Sequence, residues 1–91
     1  MKLDEYIFEG TIQYYDRRWR DVPRSGTVSV IQGKGTITMT ANGKYRYTVD
    51  LPVLETETIR FRYRIGSYFY TDYEQPKTIE ELKENATLEL R

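Results

Sequence analysis

Between Thr36 and Asp50 the chain alternates with a period of two, and one short interruption fixes how it must fold. Ile37 and Met39 alternate with Thr36, Thr38 and Thr40; after Ala41-Asn42-Gly43, the residues Tyr45, Tyr47 and Val49 alternate with Arg46, Thr48 and Asp50. Such alternation is the pattern of strands with one buried face. A two-residue Asn42-Gly43 turn would set Met39 against Arg46 and mix the faces. A three-residue loop sets Met39 against Tyr45 and Ile37 against Tyr47, and only that register keeps one face dry. It requires a type I turn with Gly43 left-handed in a bulge.

The same reasoning extends along the chain. In the first run Tyr6, Phe8, Ile12 and Tyr14 share a face, with Gly10 interrupting the row where another backbone can approach closely. A loop at Gln32-Gly33-Lys34-Gly35 would pair Val30 with Ile37 and Val28 with Met39, making a three-stranded meander. Pro52 stops the next strand, because proline cannot donate to a ladder. Ile59, Phe61, Tyr63 and Ile65 alternate with Thr58, Arg60, Arg62 and Arg64, and a Gly66-Ser67 turn would set Ile65 against Tyr68 and Tyr63 against Tyr70. Thr78-Ile79-Glu80-Glu81 fits a capping box and opens one short helix with Ile79, Leu82 and Ala86 on its apolar stripe. Leu88 and Leu90 form a last strand, positioned to close against the first and cover its edge. The predicted fold is all-β and mainly antiparallel: a small meander barrel or sandwich of about six to seven strands, with one short helix before the last strand. Residues 1–91 form a single domain, as expected for this length.

Composition narrows function. The chain has no cysteine and no histidine, so it lacks the commonest nucleophile–base pair, the commonest metal ligands and any disulfide. No serine stands in a nucleophile-elbow pattern, and Gly33-Lys34-Gly35 is too short for a phosphate loop. Asp72 and Glu74 are near enough in sequence to supply oxygen ligands, without the spacing of a calcium loop. The expectation is a non-enzymatic protein with no cofactor and no metal. No run approaches the roughly 18 apolar residues that cross a bilayer, and Met1–Gly10 lacks the core of a signal peptide. This predicts a cytoplasmic protein without a membrane partner.

Charge is unevenly distributed. The formal net charge is zero, yet residues 1–64 carry 11 basic and 8 acidic side chains, whereas residues 65–91 carry 3 and 6. Eight of the nine arginines lie between Arg17 and Arg64. Arginine favours planar, bidentate or stacked contacts. Two clusters follow. Arg17, Arg18, Trp19, Arg20 and Arg24 occupy a polar connection of about eleven residues, Asp16 to Gly26, beside Tyr15. There Trp19 either stands exposed as an anchor or folds back as a lid over the core, with the arginines in solvent. Asp16 and Asp21 are their counter-charges. The second cluster is the row Arg60, Arg62 and Arg64, with Arg46 and the threonines of the central hairpin on the matching polar face and Glu55 and Glu57 near in sequence. Like charges two apart on a strand repel and so are not a stability device in themselves.

Three functions fit. The first is a non-catalytic binding module, a small inhibitor or accessory protein that engages a protein partner through Arg, Trp and Tyr. The second is a nucleic-acid or nucleotide-binding barrel using the Arg60, Arg62 and Arg64 face. With Arg46 as a fourth phosphate contact and Trp19 or Tyr15 for stacking, four phosphates held on a single strand would give a log–log salt slope of about −2.8. The third is a structural scaffold with no evolved ligand, natural or designed. A protein partner ranks first, because zero net charge gives nucleic acid no overall attraction.

Overall fold

The structure, a computed structural model, describes residues 4–91; the first three residues of the predicted 1–91 domain lie outside it. The described chain is all-β with one short helix. Its elements are β1 (Glu5–Tyr15), β2 (Trp19–Asp21), β3 (Thr27–Gln32), β4 (Thr36–Ala41), β5 (Lys44–Asp50), β6 (Thr58–Ile65), β7 (Thr71–Thr78), α1 (Ile79–Glu84) and β8 (Leu88–Leu90). They form two sheets. One has the order β2-β1-β5-β4, with β8 added on β1, and the other has the order β3-β6-β7. No helix among the described residues is long and apolar enough to cross a membrane.

At the central hairpin Met39 pairs with Tyr45 and Ile37 with Tyr47, as expected, and Gly43 has a φ of 71°. The loop is shorter than expected: Ala41 stays in β4 opposite Lys44, so the bulge lies between Met39 and Ala41 rather than at Gly43. Alternation then turns Tyr45, Tyr47 and Val49 of β5 inward against Ile59, Phe61 and Tyr63 of β6, and all six are buried. Phe61 meets the Tyr47 ring edge-on at 5.2 Å, and Phe8 stacks on Tyr47 at 6.2 Å. Aromatic rings thus fill a core that a chain of 91 residues must build from few side chains.

The meander does not form. β3 leaves β4 and joins the other sheet, with Val28 opposite Tyr63 and Val30 opposite Phe61. β6 offers β3 an apolar row of matching period, and a turn at Gln32–Gly35 permits the chain to cross between sheets as readily as to reverse within one. The Gly66-Ser67 turn is also corrected: Ile65 pairs with Thr71 and Tyr63 with Tyr73, so the loop runs from Gly66 to Tyr70. The polar connection after β1 contains an eighth strand, β2, which pairs Tyr15 with Trp19 and Gln13 with Asp21.

The C-terminal segment behaves as read, with one change. Thr78 caps α1: its hydroxyl accepts from the Glu81 N–H at 3.1 Å, and the Glu81 carboxylate accepts from the Thr78 N–H at 2.9 Å. Ile79 and Leu82 are buried, while Ala86 lies beyond the end of the helix. β8 runs parallel to β1, with Leu88 beside Ile12 and Leu90 beside Tyr14. It also reaches the second sheet, since Glu74 and Arg91 exchange backbone hydrogen bonds of 2.9 and 3.1 Å. Between these anchors the Tyr45 hydroxyl donates to the Ala86 carbonyl.

That carbonyl passes so near β1 that a Cβ on Gly10 would lie 2.7 Å from the Ala86 oxygen. Gly10→Ala is therefore expected to destabilise the fold by about 1–3 kcal/mol, because the obstacle is backbone and cannot swing away. Urea denaturation measures this; an unchanged midpoint would refute the close approach. The buried tyrosines give a second expectation. Burial, and secondarily the Glu57 charge, push the Tyr47 phenol up to about 12, and burial pushes Tyr45 higher still. Their contribution to stability is full below the unfolded value of about 10. It is lost as pH rises through the folded values, because the unfolded chain ionises first. Stability followed by circular dichroism should fall above that pH, and less steeply in Tyr47→Phe.

Candidate interaction site

Pairing with β7 decides what the arginine row of β6 becomes. Alternation turns Ile59, Phe61 and Tyr63 inward, so Arg60, Arg62 and Arg64 line the outer face. On one side they stand opposite Gln32, Ser29 and Thr27 of β3, and on the other opposite Pro76, Glu74 and Asp72 of β7. Arg64 grips Asp72 with two parallel hydrogen bonds, Nε to Oδ1 at 2.7 Å and Nη2 to Oδ2 at 2.9 Å. Its guanidinium also lies 3.7 Å from the centre of the Tyr70 ring. Arg60 approaches Glu74 at 3.5 Å. Arg62 sits between them, its buried Nε without a hydrogen-bond partner among the described residues. The arginine hydrogen bonds first, then the charges of Arg64 and Arg62, hold the Asp72 carboxyl below its ordinary range. The β6–β7 face therefore carries both signs, with the carboxylates of β7 beside the arginines of β6.

Beyond this face the β6–β7 hairpin ends in an uncharged tip, Gly66-Ser67-Tyr68-Phe69-Tyr70. Tyr68 and Phe69 are each 86% exposed and Tyr70 54%, and Ile65 at the base is exposed too. The Tyr68 and Phe69 rings meet edge-on at 4.9 Å. This cluster was missed in the sequence, because alternation alone drew Tyr68 and Tyr70 into a strand. The signal that finds it is electrostatic. Setting Arg64 against Asp72 and Arg62 against Glu74 places opposite charges across the ladder, and that register leaves the five residues between as a loop.

The remaining predicted residues fall into separate places. Tyr15 and Trp19 face each other across β1 and β2, rings 5.3 Å apart, with Trp19 half-buried. The Arg91 guanidinium lies 5.2 Å from the Trp19 ring and 5.5 Å from that of Tyr15. Trp19 is thus neither a free anchor nor a core lid; it packs on a neighbouring strand and forms one wall of an open hollow with Glu74, Gln75, Pro76, Glu89 and Arg91. Arg20 donates through Nε to the Asp16 carbonyl at 3.2 Å. Arg17 and Arg18 occupy the turn from β1 to β2, both exposed, and Arg17 has a φ of 65°. Asp16 lies 3.7 Å from Arg17, but Asp21 serves Gln13 rather than an arginine. Arg24 stands apart, its N–H donating to the Asn42 side chain at 2.8 Å.

Arg46 does not join the ladder. It lies on β5 in the other sheet, opposite Glu9, and pairs with that carboxylate at 3.1 Å. The threonines of β4 go with it. Nor does Glu55 neutralise the ladder, since its carboxylate takes the Lys83 ammonium. A single basic face spanning both hairpins is thereby corrected to a mixed-charge face on β6–β7, a cluster around Trp19, and two separate arginines.

The chain matches no family model, no curated protein and no solved structure.

The Arg64–Asp72 pair gives the hairpin a defined pH dependence. The folded value of Asp72 is lowered, so its contribution is fully present above the unfolded value, about 4. It is lost as pH falls through the lowered one. Asp72→Asn should flatten the acid limb of stability, measured by urea denaturation at successive pH values. An acid limb of the same slope in both proteins would remove the pair from the account.

Proposed function

We propose that this protein is a non-catalytic protein-binding module, a small inhibitor or accessory factor whose contact surface is the β6–β7 hairpin. The observation that carries this reading is the exposure of two adjacent aromatic rings, Tyr68 and Phe69, at an uncharged tip. Aromatic side chains so presented lose apolar hydration on docking and are the residue types that dominate protein interfaces, with Arg. The base of the tip is already ordered, because Arg64 is held by Asp72 and covered by Tyr70. Pre-ordering lowers the entropy cost of binding. The charges of Arg60, Glu74, Arg62, Arg64 and Asp72 suit a polar rim of mixed sign. They suit a phosphate chain less, since two of the three guanidiniums already face carboxylates. Occlusion of a partner's cleft needs shape and charge complementarity and no chemistry, which accords with a chain lacking cysteine and histidine.

The test compares the wild type with Tyr68→Ser/Phe69→Ser, both immobilised and exposed to the same extract, alongside titrations of Trp19 fluorescence with single-stranded DNA and RNA. A protein partner held by the wild type and weakened by about 30-fold or more in the double variant, as for a hot spot of ~2 kcal/mol, is the expected result. Flat nucleic-acid titrations accompany it. A Trp19 response that weakens with salt at a slope of about −2.1, three single-strand phosphate contacts, would replace this reading with nucleic-acid binding on the arginine face.

A further inference from the structure

β4 is the terminal strand of its sheet. It pairs with β5 on one side; β3, which precedes it in the chain, comes within 8 Å of it but belongs to the other sheet, and no described residue forms a ladder on its second side. Terminal strands ordinarily carry lysine, another charge or proline, which keep a second chain from adding to them. β4 reads Thr-Ile-Thr-Met-Thr-Ala, with neither charge nor proline, in a chain that is 31% charged. Its outer row, Thr36, Thr38 and Thr40, is exposed; on its inner row Ile37 is buried and Met39 only half-covered.

We infer that β4 is a self-association edge, on which two copies of this chain pair antiparallel about a two-fold axis through Thr38. The register follows from the side-chain rows. With Thr38 opposite its own counterpart, Thr36 meets Thr40 and Ile37 meets Met39. Threonine then lies against threonine outside, a favourable cross-strand pair, and apolar against apolar inside. A slip of one residue would set Ile37 against Thr38 and mix both faces. The axis joins the two sheets as β2-β1-β5-β4-β4-β5-β1-β2 and covers the open side of Met39. The register shift between Met39 and Ala41 ends the pairable stretch. Because each copy uses the one β4 edge that carries no ladder among the described residues, the association closes at two and does not propagate. Five residues a side span about 17 Å. Contact of that size makes a reversible dimer rather than an obligate one.

The edge lies on the sheet that does not contain the β6–β7 hairpin, so it stands or falls separately from the proposed function. Sedimentation of the intact protein from about 10 µM to about 1 mM, the range where weak association appears, should show the mass shifting from one copy toward two. Thr38→Lys should stay a monomer throughout, with an unchanged circular dichroism spectrum. Thr38→Cys decides the matter if the lysine variant folds poorly. In a chain without cysteine, the axial pair would place its Cα atoms about 4.5–5.5 Å apart, within disulfide range. Oxidation should link Thr38→Cys into dimers at least ten-fold faster than Ser67→Cys at the hairpin tip. A monomer at every concentration, a dimer untouched by Thr38→Lys, equal cross-linking at both positions, or a foreign extended peptide taken up at this edge by a chain that stays monomeric would each overturn the inference.

Discussion

The fold depends on a buried ammonium. Lys77 lies on the inward row of β7, and its Nζ donates to the Asn85 carbonyl at 2.7 Å and the Thr87 carbonyl at 2.5 Å. Two places along the same row, the Gln75 side chain accepts from the Glu89 N–H at 2.7 Å. A strand that should bury apolar side chains thus spends its inner face holding the backbone of the segment leading into β8. The cost is desolvation of a charge, which lowers the Lys77 pKa. What it secures is larger in consequence, since β8 is the strand that touches both sheets. It pairs with β1 in parallel and exchanges backbone bonds with β7 at Glu74 and Arg91. Removing one partner of a buried charged contact leaves orphaned polar groups, which costs more than the contact contributes. The two carbonyls and the ammonium therefore hold one another in place, and the junction of the sheets with them.

That junction explains why the arginine row is where it is. With β8 fastened to the inner side of β7, the outer side of β7 is free to present Asp72 and Glu74 to β6. Three like charges on one strand are tolerable only because the neighbour supplies opposite charges in register. The structural role of these carboxylates and the functional one are the same arrangement seen from two sides. They neutralise the row, and they orient Arg64 under Tyr70 at the base of the aromatic tip.

Much of this was legible from residues alone, and the failures share a cause. Wherever a strand had apolar and polar residues in strict alternation, as at Ile37–Val49 and Ile59–Tyr63, the inward rows followed from the pattern; Ile65, at the end of β6, is exposed. The left-handed Gly43 and the cap at Thr78 followed from chemistry that only a few residues satisfy, although the bulge itself falls between Met39 and Ala41. Pairing partners did not follow. The row Val28–Val30 fits Ile37–Met39 and Tyr63–Phe61 equally well by period, and the choice is made by packing across the whole core. β7 was misread because Tyr73, Gln75 and Lys77 form a polar inward row. Alternation has no signature for a strand whose inner face makes hydrogen bonds, and so the aromatic tip was drawn into the strand in its place.

The distribution of charge connects the two surfaces. In a chain nearly one-third charged, the outer face of β6–β7 is dense with paired ions, while the twelve residues of β3 and β4 carry none. β3 has a reason to be neutral: it stands beside the arginines of β6, and its Thr27 and Ser29 are small enough to leave them room. β4 meets one arginine, Arg46 of β5 opposite Thr38, but that guanidinium is already paired with Glu9 on the far side of β5. An exposed strand can take charge at almost no cost in stability, and doing so protects it from adding a second chain. Leaving Thr36, Thr38 and Thr40 uncharged forgoes that protection, and it is the property that pairing of one β4 with another requires.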